Sequence, residues 1–74
     1  KQRYMVTIQR GIGRAPFSYY CKEFRSENDS TALVGAERIF RGEKQAFSRA
    51  SDLPLDLTPV RIERVERIVE LVSI

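Results

Sequence analysis

The sequence predicts an α+β fold: a single two-layer domain, strand–strand–helix–strand, with one helix packed on a small sheet built around an antiparallel hairpin. Three observations lead there. Residues 3 to 10, RYMVTIQR, alternate in the manner of a strand. Residues 30 to 49, STALVGAERIFRGEKQAFSR, repeat their apolar residues at three- and four-residue spacing, which is the period of a helix. The stretch VRIERVERIVELVSI, from residue 60, is dense in the β-branched residues that favour strands.

In the first strand Tyr4, Val6 and Ile8 point one way, and Met5, Thr7 and Gln9 the other. Gly11-Ile12-Gly13-Arg14-Ala15-Pro16 breaks the pattern, and Phe17 to Arg25 resumes it. An antiparallel hairpin with Arg10 opposite Phe17 pairs Ile8 with Tyr19, Val6 with Cys21 and Tyr4 with Glu23. That register collects Tyr4, Val6, Ile8, Phe17, Tyr19 and Cys21 on the face the helix covers. Met5, Thr7, Tyr20, Lys22 and Phe24 then share the other face, too apolar to be left wholly to solvent.

Asn28, Asp29 or Ser30 can cap the helix, since each side-chain oxygen can accept from an unpaired first-turn N–H. Ala32, Leu33, Ala36, Ile39, Phe40, Ala46 and Phe47 form its apolar stripe. Gly35 and Gly42, seven apart, either allow another backbone to approach or, at Gly42, end the helix early. Asp52 to Pro59, DLPLDLTP, is a connector from which two prolines exclude helix, and Leu53, Leu55 and Leu57 are expected to pin it to the core. The last stretch reads two ways. Ile62, Val65, Ile68, Val69 and Val72 share one side of a helical wheel. Val60 and Ile62 alternate instead as a strand, as do Val65, Val69 and Leu71 if a bulge near Arg64 shifts the phase. An isolated hairpin is marginal, so a third strand completing the sheet is the reading adopted.

Composition narrows the function. Seventy-four residues hold one core and leave no room for a second. With 42% hydrophobic and 31% charged residues the chain is expected to fold, and no apolar run approaches the roughly 20 residues of a membrane span. No signal-peptide pattern is read at the start. The net charge of +3 is mildly basic. A single cysteine, Cys21, excludes an internal disulfide, and the absence of histidine excludes a conventional zinc site from one chain. A cytoplasmic location is the expectation.

Chemistry at neutral pH needs a proton shuttle, an activated nucleophile or a metal. With no histidine, a core-facing Cys21, and Glu37, Glu43, Glu63, Glu66 and Glu70 set beside arginines, the chain is read as a non-enzyme. No cofactor and no small-molecule substrate are expected. Gly11-Ile12-Gly13-Arg14 has the glycines of a phosphate loop but is followed by Pro16 and a strand, so it reads as a hairpin turn.

Two candidate surfaces remain. Arg38, Arg41, Gln45 and Arg49 form a helical strip about 16 Å long, to which Arg10 and Arg14 of the hairpin tip add charge. It suits either nucleic acid or an acidic protein. Met5, Tyr20, Lys22 and Phe24 form a candidate protein interface, with a second copy or with another protein. The leading reading is therefore an accessory module that binds a partner protein. The rival is a nucleic-acid-binding factor acting through the basic helix face. The hairpin, polar cap and alanine-rich helix (ENDSTALVGAERIF) are similar in style to many short accessory proteins of bacteria and their phages, a resemblance that covers residues 3 to 41 and implies a source, not an activity.

Overall fold

The computed structural model of the chain describes residues 1–11 and 18–69. Among them lie β1 (Gln2–Arg10), β2 (Ser18–Ser26), α1 (Asp29–Ser51), a 3-10 turn (Leu55–Leu57) and β3 (Val60–Arg67). The strands form an antiparallel sheet in the order β2-β1-β3, with α1 packed on one face. The strand–strand–helix–strand order expected from the sequence is the one found. The last stretch is a strand through Arg67, and its pairing with β1 slips by one residue between Thr7 and Ile8. Thr7 lies opposite Arg64 and Ile8 opposite Ile62, so Glu63 is the extra residue of a bulge where the sequence called for one. Arg14, Phe17, Leu71 and Val72 lie outside the described residues.

Helix α1 starts where its polar residues require. Asn28 is the cap: its side chain accepts from the Thr31 N–H at 3.0 Å, and the Asn28 N–H donates back to the Thr31 hydroxyl at 3.2 Å. The helix runs through Gly42 without a break and ends at Asp52, which takes the left-handed conformation (φ 58°) and donates its N–H to the Ser48 carbonyl.

The hairpin register differs by one residue from the expected one. Val6 pairs with Lys22, Tyr4 with Phe24 and Ile8 with Tyr20. A one-residue slip exchanges the two faces of a strand, so Tyr20 and Phe24 turn under the helix while Tyr19 and Cys21 turn away. Cys21 is exposed, not a core thiol. The cause is the shape of α1. Its sheet-facing side opens with the small residues Ala32, Gly35 and Ala36, and only large rings from β2 fill that space. Phe24 stacks on Tyr4 with centroids 5.8 Å apart, and a Cβ at Gly35 would stand 3.2 Å from the Phe24 ring.

Val6, Ile8, Ala36 and Val60 form the centre of the core, with Tyr20, Phe24, Ile39, Phe40, Phe47, Ile62 and Val65 packed around it. Two members of the expected helix stripe stay outside: Leu33 is 62% exposed, and Ala46 is exposed as well. The connector is a further correction. Leu53, Leu55 and Leu57 are 40%, 46% and 65% exposed and do not pin the segment to the core. Thr58 is buried in their place, its hydroxyl donating to the Pro54 carbonyl at 2.9 Å, because Phe47 and Val60 already close that end. Among the described residues no helix is long and apolar enough to cross a membrane.

The two helix glycines should answer differently to substitution. Nothing lies within 4 Å of a Cβ at Gly42, so Gly42→Ala should stabilise the domain by up to about 1 kcal/mol through helix propensity alone. Gly35→Leu should instead lower the urea midpoint by displacing the Phe24 ring. Equal effects of the two in urea unfolding would contradict this packing.

Candidate interaction surfaces

A polar network ties the sheet to the second half of α1. The Tyr20 hydroxyl donates to Glu43 at 2.8 Å, and Lys22 Nζ lies 2.5 Å from the other Glu43 oxygen. The guanidinium of Arg10 sits 4.4 Å from the Tyr20 ring centroid and 5.7 Å from that of Phe47. Its Nε is shielded from solvent and has no hydrogen-bond partner among the described residues. The Lys22 ammonium holds the Glu43 carboxyl below its ordinary range, with the Tyr20 hydroxyl also lowering it. Burial, and then the hydrogen bond to Glu43, push the Tyr20 phenol up to about 12. At the other end of the helix the Tyr4 hydroxyl donates to Asp29 at 2.7 Å, and that bond raises the Tyr4 phenol.

The hairpin register separates the residues of the expected interface. Tyr20, Lys22 and Phe24 lie on the helix-covered side of the sheet, and Met5 on the opposite side, so the four do not form one interface. Arg10 stacks against Tyr20 and Phe47, while Arg14 lies outside the described residues.

The sheet face turned away from α1 carries Arg3, Met5, Thr7 and Gln9 of β1, flanked by Tyr19, Cys21, Glu23 and Arg25 and by Arg61, Arg64 and Glu66. It is closed over by its own long side chains. Arg61 Nε donates to Gln9 Oε1 at 2.6 Å, Arg3 pairs with Glu23, and Arg64 Nε lies 2.9 Å from Glu66. Thr7 and Gln9 of this face are buried. The sequence carried a faint signal of this, since Arg61, Arg64 and Glu66 share a face only if the bulge is placed first.

Arg38, Arg41, Gln45 and Arg49 of the helix strip are all exposed, and the Arg41–Glu37 pair, 3.9 Å apart, is the ion pair on it among the described residues. The connector leucines are the surface that sequence reasoning missed. They project from a segment held in shape by its own bonds: Ser48 Oγ to the Leu53 carbonyl at 2.5 Å, the Leu53 N–H to the Ser48 carbonyl, and the Leu57 N–H to the Pro54 carbonyl. A shallow groove of about 240 Å³ runs between the first turns of α1 and the end of β3, with Leu33 on one wall and Val65 and Arg67 on the other. No group of three or more His, Cys, Asp or Glu residues able to hold a metal is found among the described residues. Comparison of the chain with protein-family models, with curated proteins and with solved structures finds no match in any of the three.

The network sets a pH dependence with a defined sign. Glu43 is depressed in the fold, so its contribution is present above its unfolded value of about 4.5 and is lost as pH falls through the folded one. Tyr20 is raised, so its contribution is present below pH 10 and is lost as pH climbs towards 12. Urea midpoints measured against pH should fall at both ends in the wild type. Glu43→Gln should flatten the acid limb, and an unchanged limb would show that Glu43 is not what titrates there.

Proposed function

We propose that the chain is a small non-catalytic interaction module that binds a partner protein through the connector between α1 and β3. The observation that carries this reading is the exposure of Leu53, Leu55 and Leu57 on a segment braced by Ser48, Pro54 and Thr58. Exposed leucines on a loose loop would cost ordering entropy on binding; a braced segment has already met most of that cost. Apolar side chains gathered on the surface in this way mark protein interfaces more often than they serve stability. Replacing all three leucines with serine should leave the melting curve within about 1 kcal/mol of wild type and weaken capture of the partner from a host lysate by about tenfold or more. Undiminished capture by the variant would place the interface elsewhere.

A second reading, as a nucleic-acid-binding factor, rests on the helix strip. Arg38 and Arg49 have no carboxylate against them among the described residues, and the strip faces away from the sheet. Phosphate contacts release counterions, so binding through this strip should fall steeply between low and physiological salt. Fluorescence anisotropy of labelled DNA and RNA should then show binding that Arg38→Glu with Arg41→Glu abolishes while the far-UV circular dichroism stays unchanged. Absence of binding at low salt would remove this reading.

A further inference from the structure

The geometry points to β3 as a self-pairing edge: two copies of the chain join antiparallel, β3 against β3, into one continuous sheet. This goes beyond the module reading, because the edge and the connector leucines are separate surfaces.

The order β2-β1-β3 leaves the far side of β3 without a neighbouring strand among the described residues. Which groups it presents follows from its bonds to β1. The Gly11 N–H donates to the Pro59 carbonyl and the Ile68 N–H to the Arg3 carbonyl, each at 2.9 Å. Residues of β3 that share this phase, Arg61, Arg64 and Glu66, therefore bond inward, while Val60, Ile62, Val65 and Arg67 turn main-chain groups to the open edge. Of these, the Val60 N–H is taken by the Thr58 carbonyl.

The sequence of β3, VRIERVER, is complementary to itself when reversed. Centred between Glu63 and Arg64, it sets Arg61 against Glu66 of the second copy, Glu63 against Arg64, Ile62 against Val65 and Val60 against Arg67. Every residue from Arg61 to Glu66 thereby meets an opposite charge or an apolar partner. A shift of one residue either way sets Glu63 against Glu63 or Arg64 against Arg64. In a regular strand this register would fail, because Arg61 and Glu66 would face opposite sides. The bulge at Glu63 corrects that phase: Arg61 and Glu66 share the outer face, and Ile62 and Val65 share the helix face. The same register brings Ile62 and Val65, whose main-chain groups are free, into hydrogen-bonded pairs. By contrast, β2 centred on itself sets Lys22 against Lys22. Leu33 is exposed and shares a groove with Val65 and Arg67 of β3.

Sedimentation velocity from micromolar to several hundred micromolar protein tests this. The wild type should move from the 8.6 kDa chain towards twice that mass as concentration rises. Arg61→Glu, and separately Glu66→Arg, place like charges across the dyad and should raise the midpoint concentration by about tenfold or more. The double variant R61E/E66R restores opposite charges and should dimerise again. The Glu66→Arg single keeps the Arg61–Gln9 bond, so it guards against a folding defect in Arg61→Glu, and circular dichroism checks both. The variant with serine at positions 53, 55 and 57 should dimerise like the wild type. A wild type that stays monomeric throughout, singles that dimerise as it does, a double that does not recover, or loss of the dimer in the serine variant would each overturn the inference. The first of these would mean that charges and bulge serve only to keep the edge from pairing.

Discussion

The seat of Phe24 against Gly35 is the constraint on which the other contacts depend. A helix with alanine and glycine on its sheet-facing side comes close to the sheet at that point and leaves a space that only a ring fills. Once Phe24 occupies it, the phase of β2 is set. Tyr20 must then fall beneath the second half of α1, where Glu43, Lys22 and Arg10 meet it. Had β2 taken the other phase, Cys21 and Tyr19 would face α1, and the small residues would border a void. Loss of packing of that kind costs several kcal/mol in small domains.

The same constraint explains which parts of the fold can be read without coordinates. First strand, hairpin and helix are each announced by local pattern; the third strand follows from the need to complete the sheet, and its bulge from the shift in phase between Val60 and Ile62 on one side and Val65 on the other. The hairpin phase is not local. Phe17, Tyr19 and Cys21 alternate as convincingly as Tyr20, Lys22 and Phe24, and the choice belongs to the partner surface on α1. Everything inferred from the phase moved with it, including the interface assigned to Met5, Tyr20, Lys22 and Phe24. The exposure of Arg38, Arg41, Gln45 and Arg49 could be read because they sit on one element whose period alone places them. The connector leucines were misplaced because apolar character suggests burial, whereas a connector can satisfy its backbone by itself and leave its side chains outside.

Charge is distributed with some economy over this small surface. Among the described residues the outer sheet face answers most of its arginines with Glu23, Glu66 and Gln9, and Thr7 and Gln9 on that face are buried. Arg10 is held against two aromatic faces instead, and its stem and ring-stacked head serve as packing. On the helix strip, by contrast, arginines outnumber carboxylates. The sides of the domain thus differ in what they ask of a partner: the sheet face is largely satisfied, the strip has unmet charge, and the connector has unmet apolar surface.

The central position of β1 bears on how the chain folds. Its first neighbour, β2, is a hairpin away, but its second, β3, joins only after the whole of α1 and the connector have been made. Tyr4 meets Arg67, and Arg10 meets Val60, across some fifty to sixty residues of chain. Pairings of such high contact order are the slow ones. As synthesis proceeds, hairpin and helix can assemble while one side of β1 still shows bare main-chain groups. A nascent chain therefore passes through a stage in which its most buried strand is open to a wrong partner, and the speed with which β3 arrives decides whether that stage ends in the native sheet or in aggregation.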